Sequence, residues 1–409
     1  MTILLKNLNY IDVNEGKGVL NTDILLDGCV IRKIGAGAAD GKPDATLELN
    51  GKWAMPGLIN MHEHQTYKRL IGPLYGATGS YAGMTDVDLA IRSVRTALFS
   101  LKSGITTILE VGAANDISFS MRDAINRGTI PGPRMFVSGQ TRTITGGHAY
   151  ELAKEIDTVD EMRKDVRENL KKADWVKLLC SHEPVFFGGK EPVGSEMDVA
   201  LISVAVEEAH RMNKKVGVHA MGSEPIQRVI DSNVDVIHHG AFLTAKQAKE
   251  MKQKNIAFVS TFSAYRNTSN PVFERGKQWA DDNMVLRPGL ESAFQNVLQE
   301  GVLIAAGTDS LGDLLHEISF MKRFGMNDAE CLRCISINSA KILNQETRLG
   351  SIEEGKLADI AIFDKNPLDD FENMRQVALV IKDGTVYDIP NLSLQNLNPR
   401  MLLEHTPIF

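Results

Sequence analysis

The chain has 409 residues, 43% of them hydrophobic and 24% charged, which is enough for one large domain and a smaller one with a substantial core. Its net charge of -7 argues against a surface that binds nucleic acid or an anionic membrane. No apolar run reaches the roughly 18 residues that a membrane-spanning helix needs.

Both ends of the chain are predicted to be rich in β-strands. Residues 2–37 and 45–54 alternate polar and apolar positions and turn at "DG" and "NG", as short antiparallel strands do. The same texture returns after residue 348, in "GSIEEGKLADIAIFD" and "VALVIKDGTVYD". We therefore expect residues 1–55 and 348–409 to pair with each other as one small β-sandwich domain.

Between these ends the chain repeats a short apolar strand, a loop and an amphipathic helix. The first helix is predicted to follow Thr85 as its N-cap and to end at Gly104. Eight strands are predicted, at residues 58–64, 105–112, 134–139, 175–180, 215–220, 234–240, 256–262 and 302–309. Such repeats favour an α/β fold in which residues 56–347 form a (β/α)8 TIM barrel as the catalytic domain. The competing fold is a doubly wound open sheet, but no glycine-rich dinucleotide turn follows the first strand.

The first of these strands ends in a His-x-His pattern, in "MPGLINMHEH". Because a strand alternates its faces, His62 and His64 lie on one side and Glu63 on the other. Two adjacent imidazoles repel when both are protonated, so the pair is stable when neutral or when sharing a cation. Taken alone, the motif also fits two ordinary polar residues at the end of a strand.

Other predicted strands end in donors of the same kind. In a (β/α)8 barrel the chemistry lies at the C-terminal ends of the strands. The polar residues at or near those ends are His62, His64, Lys177, His219, His238, His239 and Asp309. Nitrogen and oxygen donors from four strands at one barrel mouth predict a metal site, and the set fits two divalent ions better than one.

Lys177 is the unusual member of this set, because an ammonium group cannot bind a metal. It lies in the apolar strand of "ADWVKLLCSHEP", where burial lowers the pKa of a lysine and favours the neutral amine. A neutral amine can add CO2 to form a carbamate, which would bridge two ions roughly 3.5–4 Å apart. The alternative is a lysine that reaches the strand edge or pairs with an acid.

The sequence lacks the features of a secreted protein. Its N-terminal residues have no basic start, long apolar stretch or small-residue cleavage site. Four cysteines are too few for a disulfide framework in a chain of this length. Cys331 and Cys334 of "CLRC" are expected to be buried free thiols in a helix. We therefore expect a cytoplasmic protein.

Together these motifs resemble the amidohydrolase superfamily, in the branch of imidazolonepropionase-like proteins and metal-dependent prolidases. "MPGLINMHEH" resembles the family's strand 1, "GITTILEVG" its strand 2, "AAGTDS" its strand 8 and "GSIEEGKLADIAIFD" its return into the small β domain. The resemblance covers nearly the whole chain. It is specific for the superfamily and much less so for the substrate.

The resemblance implies a binuclear site. One divalent ion would be held by His62, His64 and Asp309, and a second by His219 and His239, with Zn as the favoured metal. Lys177, as an N6-carboxylated lysine, would bridge the two ions. His239 is the implied strand-6 ligand because it directly precedes Gly240, whereas His238 stands where close relatives often carry glutamate.

The reaction implied by the resemblance is hydrolysis by a hydroxide that bridges the two metals. Asp309 would act as ligand and catalytic base, taking a proton from the water and passing it to the leaving group. One ion would polarise the scissile carbonyl. The expected substrate is a small molecule with an amide (C–N) bond, such as a dipeptide, an N-acyl amino acid or a cyclic amide. No Gly-x-Ser-x-Gly elbow supports a serine nucleophile.

Substrate contacts are predicted in the loops after strands 3, 5 and 7. His148 in "TGGHAY" resembles a loop histidine that prolidase-like relatives present to the substrate. Tyr265 and Arg266 are expected to face the barrel mouth. Relatives that bind a substrate α-carboxylate tend to carry tyrosine where this chain has Met221, and loss of that hydroxyl removes a hydrogen bond to an anion. Substrates that end in a free amino-acid carboxylate are therefore in question.

The segment "CSHEPVFFGGKEPVG" after strand 4 is unlike the glycine-rich loop that the resemblance leads us to expect. His182 is either catalytic or a solvated loop residue. Phe186 and Phe187 either line an apolar pocket or pack the loop.

Three other functions compete with amide hydrolysis. A deaminase of a nitrogen heterocycle generally uses one ion on this fold and lacks the strand-4 lysine, so Lys177 weighs against it. An esterase or lactonase would use the same metal site. A non-catalytic scaffold usually loses ligands, and here every expected ligand is present. The resemblance also leads us to expect a homo-oligomer.

Overall fold

The computed structural model describes residues 1–67, 84–265, 276–310 and 312–392 of the chain. Its N-terminal strands are β1 (Thr2–Asp12), β2 (Lys17–Asp27), β3 (Val30–Ile34), β4 (Ala45–Glu48) and β5 (Trp53–Pro56). The first three pair antiparallel in succession, as the predicted hairpins require, whereas β4 and β5 run parallel to β1. Gly28, with a φ of +58°, forms the turn between β2 and β3, because glycine adopts the left-handed region without steric cost.

Strands and helices alternate through the middle of the chain. In order they are β6 (Leu58–Glu63), α1 (Asp86–Lys102), β7 (Ile105–Glu110), α2 (Ile117–Asn126), β8 (Arg134–Val137), β9 (Arg142–Thr143), β10 (Lys154–Glu155), α3 (Val159–Asn169), β11 (Trp175–Leu179), α4 (Val199–Arg211), β12 (Lys215–Ala220), α5 (Ser223–Asp231), β13 (Val236–His239), α6 (Ala245–Lys254), β14 (Ala257–Ser260), α7 (Gly276–Gln299) and β15 (Ile304–Ala306). Each of the eight predicted strands is present inside its predicted segment. The two-residue strands β9 and β10 have no counterpart among the predictions.

The last elements return the chain to its N-terminal strands. They are α8 (Leu314–Arg323), α9 (Asp328–Cys334), α10 (Ile337–Ile342), β16 (Ile360–Phe363), β17 (Val377–Lys382) and β18 (Thr385–Asp388). Cys331 and Cys334 lie in α9 as buried free thiols, as expected. In the part of the chain that the structure describes, no helix is both long enough and apolar enough to cross a membrane.

The central strands form two parallel sheets that meet at two joins. One sheet contains β6, β7 and β8, and the other runs from β11 to β15, with β9 and β10 at its edge. At the first join the N–H groups of Thr308 and Asp309 donate to the carbonyl of His62, at 2.9 and 2.8 Å. At the second the N–H of Asp174 donates to the carbonyl of Val137, at 2.8 Å. The mixed α/β class predicted from the sequence is confirmed.

Buried side chains of the central strands pack against one another across the sheets. One cluster contains Ile59, Met61, Leu109, Trp175, Val236, Ala257, Val259 and Ala305, which come from six strands of both sheets. Alternate residues of a strand share a face, and here Ile59 and Met61, or Ala257 and Val259, do so in one cluster. The strands therefore bury one face against a common interior.

Helix α1 shows how local sequence fixes an element. The Thr85 hydroxyl accepts the N–H of Asp88 at 3.2 Å, and the Asp88 carboxylate accepts the N–H of Thr85 at 2.9 Å. This capping box satisfies two of the N–H groups that have no partner at a helix start. The helix ends just before Gly104, which has a φ of +81° and leaves no room for a Cβ without crowding Ala361 of β16. Both predicted ends of this helix are confirmed within two residues.

Both ends of the chain share one sheet, in the order β18-β17-β16-β5-β1-β2-β3, with β4 also paired to β1. Strand β5 joins the two ends, because it pairs parallel with β1 and antiparallel with β16. The sheet has its own core, which includes Leu5, Leu8, Ile24, Leu26 and Ile360. The expected pairing of the two ends is therefore present as a single eight-stranded sheet, and its division into a two-layer sandwich stays a prediction.

Arg134, at the start of β8, links the central strands to this terminal sheet. Its guanidinium donates to Thr107 Oγ1 at 3.0 Å, to the Asp359 carboxylate at 2.5 Å and to the Asp383 carboxylate. The Asp359 side chain is only 4% exposed. Removing one partner of such a pair leaves a buried charge without compensation.

We expect Arg134→Met to lower the free energy of unfolding by about 3–5 kcal/mol, measured by urea denaturation. Lys6→Met is the matched control, because it breaks the exposed pair with Glu48 and should cost less than about 1 kcal/mol. Equal losses in the two variants would show that the Asp359 pair contributes no more than a surface pair.

Candidate metal centre

One cavity gathers most of the site residues that the sequence predicts. It has a volume of about 420 Å³ and lies at the carboxyl ends of β6, β11, β12 and β13. The predicted residues that line it are His62, His64, His148, Lys177, His219, His239, Tyr265 and Asp309. Met221 is instead fully buried, with its N–H donating to Ser181 Oγ at 2.8 Å, and is not among the described residues of the cavity wall. Arg266 lies outside the described residues.

His62, His64 and Asp309 form the centre of the first group of donors. The Nε2 atoms of the two imidazoles are 3.3 Å apart. Asp309 Oδ1 lies 3.7 Å from His64 Nε2, and Asp309 Oδ2 lies 3.9 Å from His62 Nε2. His64 Nδ1 is 2.9 Å from the carbonyl oxygen of Gly112. Because a carbonyl can only accept, this nitrogen carries the proton and Nε2 keeps its lone pair for the cavity.

His239 approaches the same carboxylate from β13. Its Nδ1 lies 2.6 Å from Thr261 Oγ1 and 3.9 Å from Asp309 Oδ2. His239 and Asp309 have φ values of +68° and +55°, a left-handed conformation that costs a non-glycine residue on the order of 1 kcal/mol. Two such residues within one group of donors are typical of a functional site, where the surrounding structure holds a strained backbone in place.

A second group of donors contains His148, Glu183 and His219. Glu183 Oε1 is 3.9 Å from His148 Nε2 and 4.0 Å from His219 Nδ1. The two imidazole rings stack, with centroids 4.4 Å apart and planes inclined by 16°. The Tyr265 hydroxyl donates to the Glu183 carboxylate, 3.0 Å from both oxygens. Burial raises the pKa of Glu183 to about 8.

Burial keeps the imidazoles of both groups neutral. It lowers the pKa of His62, His219 and His239 well below the ordinary value, lowers that of His64 as well, and lowers that of His148 to about 3. A neutral imidazole binds divalent metals, and a carboxylate adds the negative charge that they need.

The geometry of the donors also fits a cation. Each group offers three ligand atoms that lie within 4.8 Å of one another: His62, His239 and Asp309 in one, and His148, Glu183 and His219 in the other. His219 Nε2 is buried, with no hydrogen-bond partner among the described residues, and a buried polar atom of this kind calls for an explanation such as a bound ion. The residues present therefore fit divalent metal ions.

Lys177 lies on β11 and lines the same cavity, and it is 1% exposed. Burial lowers the pKa of its ammonium group to about 7, against an opposing effect of Asp309. A lowered pKa favours the neutral amine. That form is the one that carbamate formation requires.

Glu63 ties β6 to the segment that carries Asp309. Its carboxylate accepts hydrogen bonds from Asn60 Nδ2 at 2.9 Å, from Thr308 Oγ1 at 3.0 Å and from the N–H of His64 at 3.1 Å. A buried carboxylate therefore ties β6 to the residue before Asp309. This contact keeps His64 and Asp309 in register with each other.

His238, whose role the sequence leaves open, faces His62 rather than the cavity. Its Nδ1 is 3.1 Å from His62 Nδ1, so one ring donates to the other and the Nε2 of His62 is left for the cavity. Gly217 on β12 makes room for this ring, because a Cβ there would lie 2.6 Å from His238 Nε2. His238 thus orients a predicted ligand.

Glu196 fixes the loop that carries His148. Its Oε2 accepts the N–H of His148 at 2.7 Å and the hydroxyl of Thr143 at 3.3 Å. His182 Nδ1 lies 2.9 Å from Oε1 of the same carboxylate, and its side chain is 44% exposed. His182 therefore contacts the support of the His148 loop and is not part of the cavity wall. Gly147 allows the close approach, since a Cβ there would lie 2.3 Å from Thr143 Oγ1.

Sequence reasoning missed Glu183 and Glu196, which lie in the loop between β11 and α4. A strand-end rule selects residues at the end of a strand, whereas this loop leaves the sheet and returns over the cavity. The sequence does contain one signal for this loop, the acidic residue Glu183 directly before Pro184. The proline begins a 3-10 turn at Pro184–Phe187. In that turn Phe186 lines the cavity and is 64% exposed, while Phe187 is 40% exposed.

The sequence matches a family model and characterised relatives. The model of the amidohydrolase family matches residues 53–387. Ochratoxinase of Aspergillus niger is 26% identical over 379 residues, which cover 83% of this chain and 76% of that protein. A 5-methylthioadenosine/S-adenosylhomocysteine deaminase of Caldanaerobacter subterraneus subsp. tengcongensis is 24% identical over 434 residues, which cover 90% of this chain and 85% of that protein.

Solved structures resemble the fold over nearly its whole length. A Xaa-Pro dipeptidase with methionine bound in its active site has a TM-score of 0.83 and 27% identity, over 95% of this chain and 100% of that chain. A prolidase complexed with N-methylphosphonate-L-proline has a TM-score of 0.82 and 25% identity, over the same shares. Because the family model extends over most of the sequence and contains both groups of donors, this chain belongs to the amidohydrolase family.

Proposed function

We propose that this protein is a metal-dependent hydrolase that cleaves an amide (C–N) bond in a small molecule. The observation that carries the proposal is the spacing of neutral donors around Asp309. The Nε2 atoms of His64 and His62 lie 3.7 and 3.9 Å from its carboxylate oxygens. These distances are too long for hydrogen bonds, and the three side chains would together hold a divalent ion, which takes nitrogen and oxygen donors of this kind.

The proposed ligands hold two divalent ions, with Zn as the favoured metal. We assign His62, His64 and Asp309 to the first ion, His219 and His239 to the second, and Lys177 to both as a carboxylated bridging residue. When bound, such ions supply hydroxide near neutral pH and polarise the scissile carbonyl. Membership of the amidohydrolase family supports this assignment.

Asp309 is the proposed catalytic base. It lines the cavity, and the N–H of Ser310 donates to its Oδ1 at 2.5 Å, which fixes the orientation of the carboxylate. Asp309 would accept a proton from the attacking water and pass it to the leaving nitrogen. The same carboxylate would therefore first accept the proton and then donate it.

The proposed substrate is a dipeptide, an N-acyl amino acid or a cyclic amide. The cavity volume of about 420 Å³ lies in the range of small-molecule sites. Since Met221 is buried outside the cavity, we restrict the proposed substrate contacts to His148 and Tyr265. The prolidase and Xaa-Pro dipeptidase among the similar structures support a substrate of dipeptide size.

Deamination of a nitrogen heterocycle is the second candidate, because one of the relatives is a 5-methylthioadenosine/S-adenosylhomocysteine deaminase. Lys177 argues against it, since its low pKa suits a carbamate bridge between two ions, whereas deaminases of this fold generally use one. An esterase or lactonase would use the same hydroxide.

We propose further that the central strands close a (β/α)8 barrel over residues 56–347. The two hydrogen-bonded joins and the shared interior cluster support this closure. Residues 1–55 and 348–409 would form the small β-sandwich domain. We also propose a homo-oligomer that works in the cytoplasm, and the four free cysteines suit a reducing compartment.

A substrate panel tests the reaction. We expect the zinc-loaded protein to release free amino acid from at least one dipeptide or N-acyl amino acid, or to open a cyclic amide, and the metal-free protein to release none. Release of ammonia from heterocycles alone would favour the deaminase. Turnover of lactones alone would favour the esterase.

We expect Asp309→Asn to lower kcat at least about 100-fold, because the amide cannot accept the proton of the attacking water. Asp281→Asn is the matched control, since Asp281 is exposed on α7 and pairs only with Lys277 among the described residues. Steady-state kinetics with the best substrate of the panel measures both. Unchanged turnover in Asp309→Asn would exclude Asp309 as the base.

Carboxylation of Lys177 predicts a need for CO2. We expect metal-free protein to regain little activity when zinc is added in CO2-free buffer and to regain full activity after bicarbonate is added. The recovery should be faster above pH 7 than below it, because the neutral amine predominates above its pKa of about 7. Lys177→Arg, which stays cationic, should not respond to bicarbonate. Full recovery without CO2 would contradict the carbamate.

A further inference from the structure

We propose that Glu183 is a ligand of the second divalent ion, in one set with His148 and His219. This inference rests on the proposed two-ion function and changes its ligand list. The family resemblance assigns that ion to His219, His239 and the modified lysine, and it gives no part to an acid in the loop after β11. The described residues nevertheless place a carboxylate there, at the wall of the cavity.

The spacing of the three donors is the first reason. Glu183 Oε1 is 3.9 Å from His148 Nε2 and 4.0 Å from His219 Nδ1. No hydrogen bond spans such a distance, yet each of the three residues offers a ligand atom within 4.8 Å of the others, so together they could hold one divalent ion. The same spacing occurs around Asp309, where the first ion is proposed. The buried nitrogen of His219 that lacks a hydrogen-bond partner among the described residues is Nε2, so Nε2 rather than Nδ1 would bind the ion.

The charge of Glu183 is the second reason. Its side chain is 14% exposed, and no lysine or arginine among the described residues forms an ion pair with it. Burying a carboxylate is costly unless it is paired or binds a metal. The hydrogen bond from Tyr265 meets part of this cost, and coordination of a divalent cation would meet the rest.

The third reason is that the carboxylate is held in place before any ion binds. Glu183 is followed by the 3-10 turn Pro184–Phe187, and the loop then packs against α7 at Gly189, where a Cβ would lie 2.0 Å from the carbonyl oxygen of Asp282. Tyr265 contacts both carboxylate oxygens from the segment after β14. Such outer contacts orient metal ligands. The assignment gives His148 a place at the ion as well as in the cavity wall.

The experiment is a metal titration of Glu183→Gln. This variant keeps the shape of the side chain and an oxygen that accepts from Tyr265, but it loses the negative charge. Bound zinc per chain is measured after equilibration in metal-buffered solution, so that the readout does not depend on activity. We expect wild type to hold two ions, and the variant to hold one under the same conditions, with the affinity for the second ion at least about 10-fold weaker.

The controls separate this inference from the two-ion proposal. Glu151→Gln changes another acid of the cavity wall that belongs to neither donor group, and it should keep both ions. His148→Asn is a second test, with the same expected loss as Glu183→Gln. Equal melting temperatures of the metal-free proteins would show that the variants fold. When the proteins are titrated with Co²⁺, the visible absorption of Glu183→Gln and His148→Asn should match that of wild type for the first equivalent and differ from it for the second.

Two ions in Glu183→Gln and in His148→Asn with unchanged affinities would overturn the inference and leave the two-ion proposal intact. Fewer than two ions in wild type would overturn both. Loss of the second ion in both variants, with Glu151→Gln unaffected, would establish the ligand set.

Discussion

Exclusion of water from a group of imidazoles at one cavity is the constraint on which the site depends. Burial removes the proton from these rings, because a charged imidazole is poorly stabilised away from water. Neutral rings then need a partner for each nitrogen. In three of the rings one nitrogen has such a partner: the Gly112 carbonyl for His64, the Thr261 hydroxyl for His239 and the ring of His238 for His62. The Nε2 atoms of His64 and His62, which lie 3.7 and 3.9 Å from Asp309, are then available for a cation.

Much of the fold and the donor set followed from two regularities of the sequence. Short apolar runs between turns predicted all eight central strands within their segments, because buried parallel strands carry apolar residues on both faces. The carboxyl ends of parallel strands meet on one side of a sheet. His62, His64, His219, His239 and Asp309 were therefore expected to meet, although Asp309 is distant in sequence, and the structure brings them to one cavity.

The loops were less predictable, since a loop's path depends on tertiary contacts that no local pattern records. Glu183 reaches the cavity and Glu196 reaches the N–H of His148 because the segment after β11 folds back over the sheet. Met221 illustrates the opposite case. Its position in the sequence suggested a place near the substrate, but its side chain is fully buried and lies outside the described cavity wall. The residues that distinguish one reaction from another thus lie where sequence patterns are least informative.

Charge balance connects the two proposed sites with the choice of substrate. In the proposed centre two divalent cations would carry four positive charges, and a hydroxide, a lysine carbamate and Asp309 would supply three negative ones. Without a further acid the centre would keep a positive charge and attract an anionic group of the substrate. With Glu183 as a ligand the centre would be neutral, and no net charge would draw a substrate carboxylate towards the ions. Among the proposed substrates, such a centre would favour a cyclic amide over a dipeptide or an N-acyl amino acid.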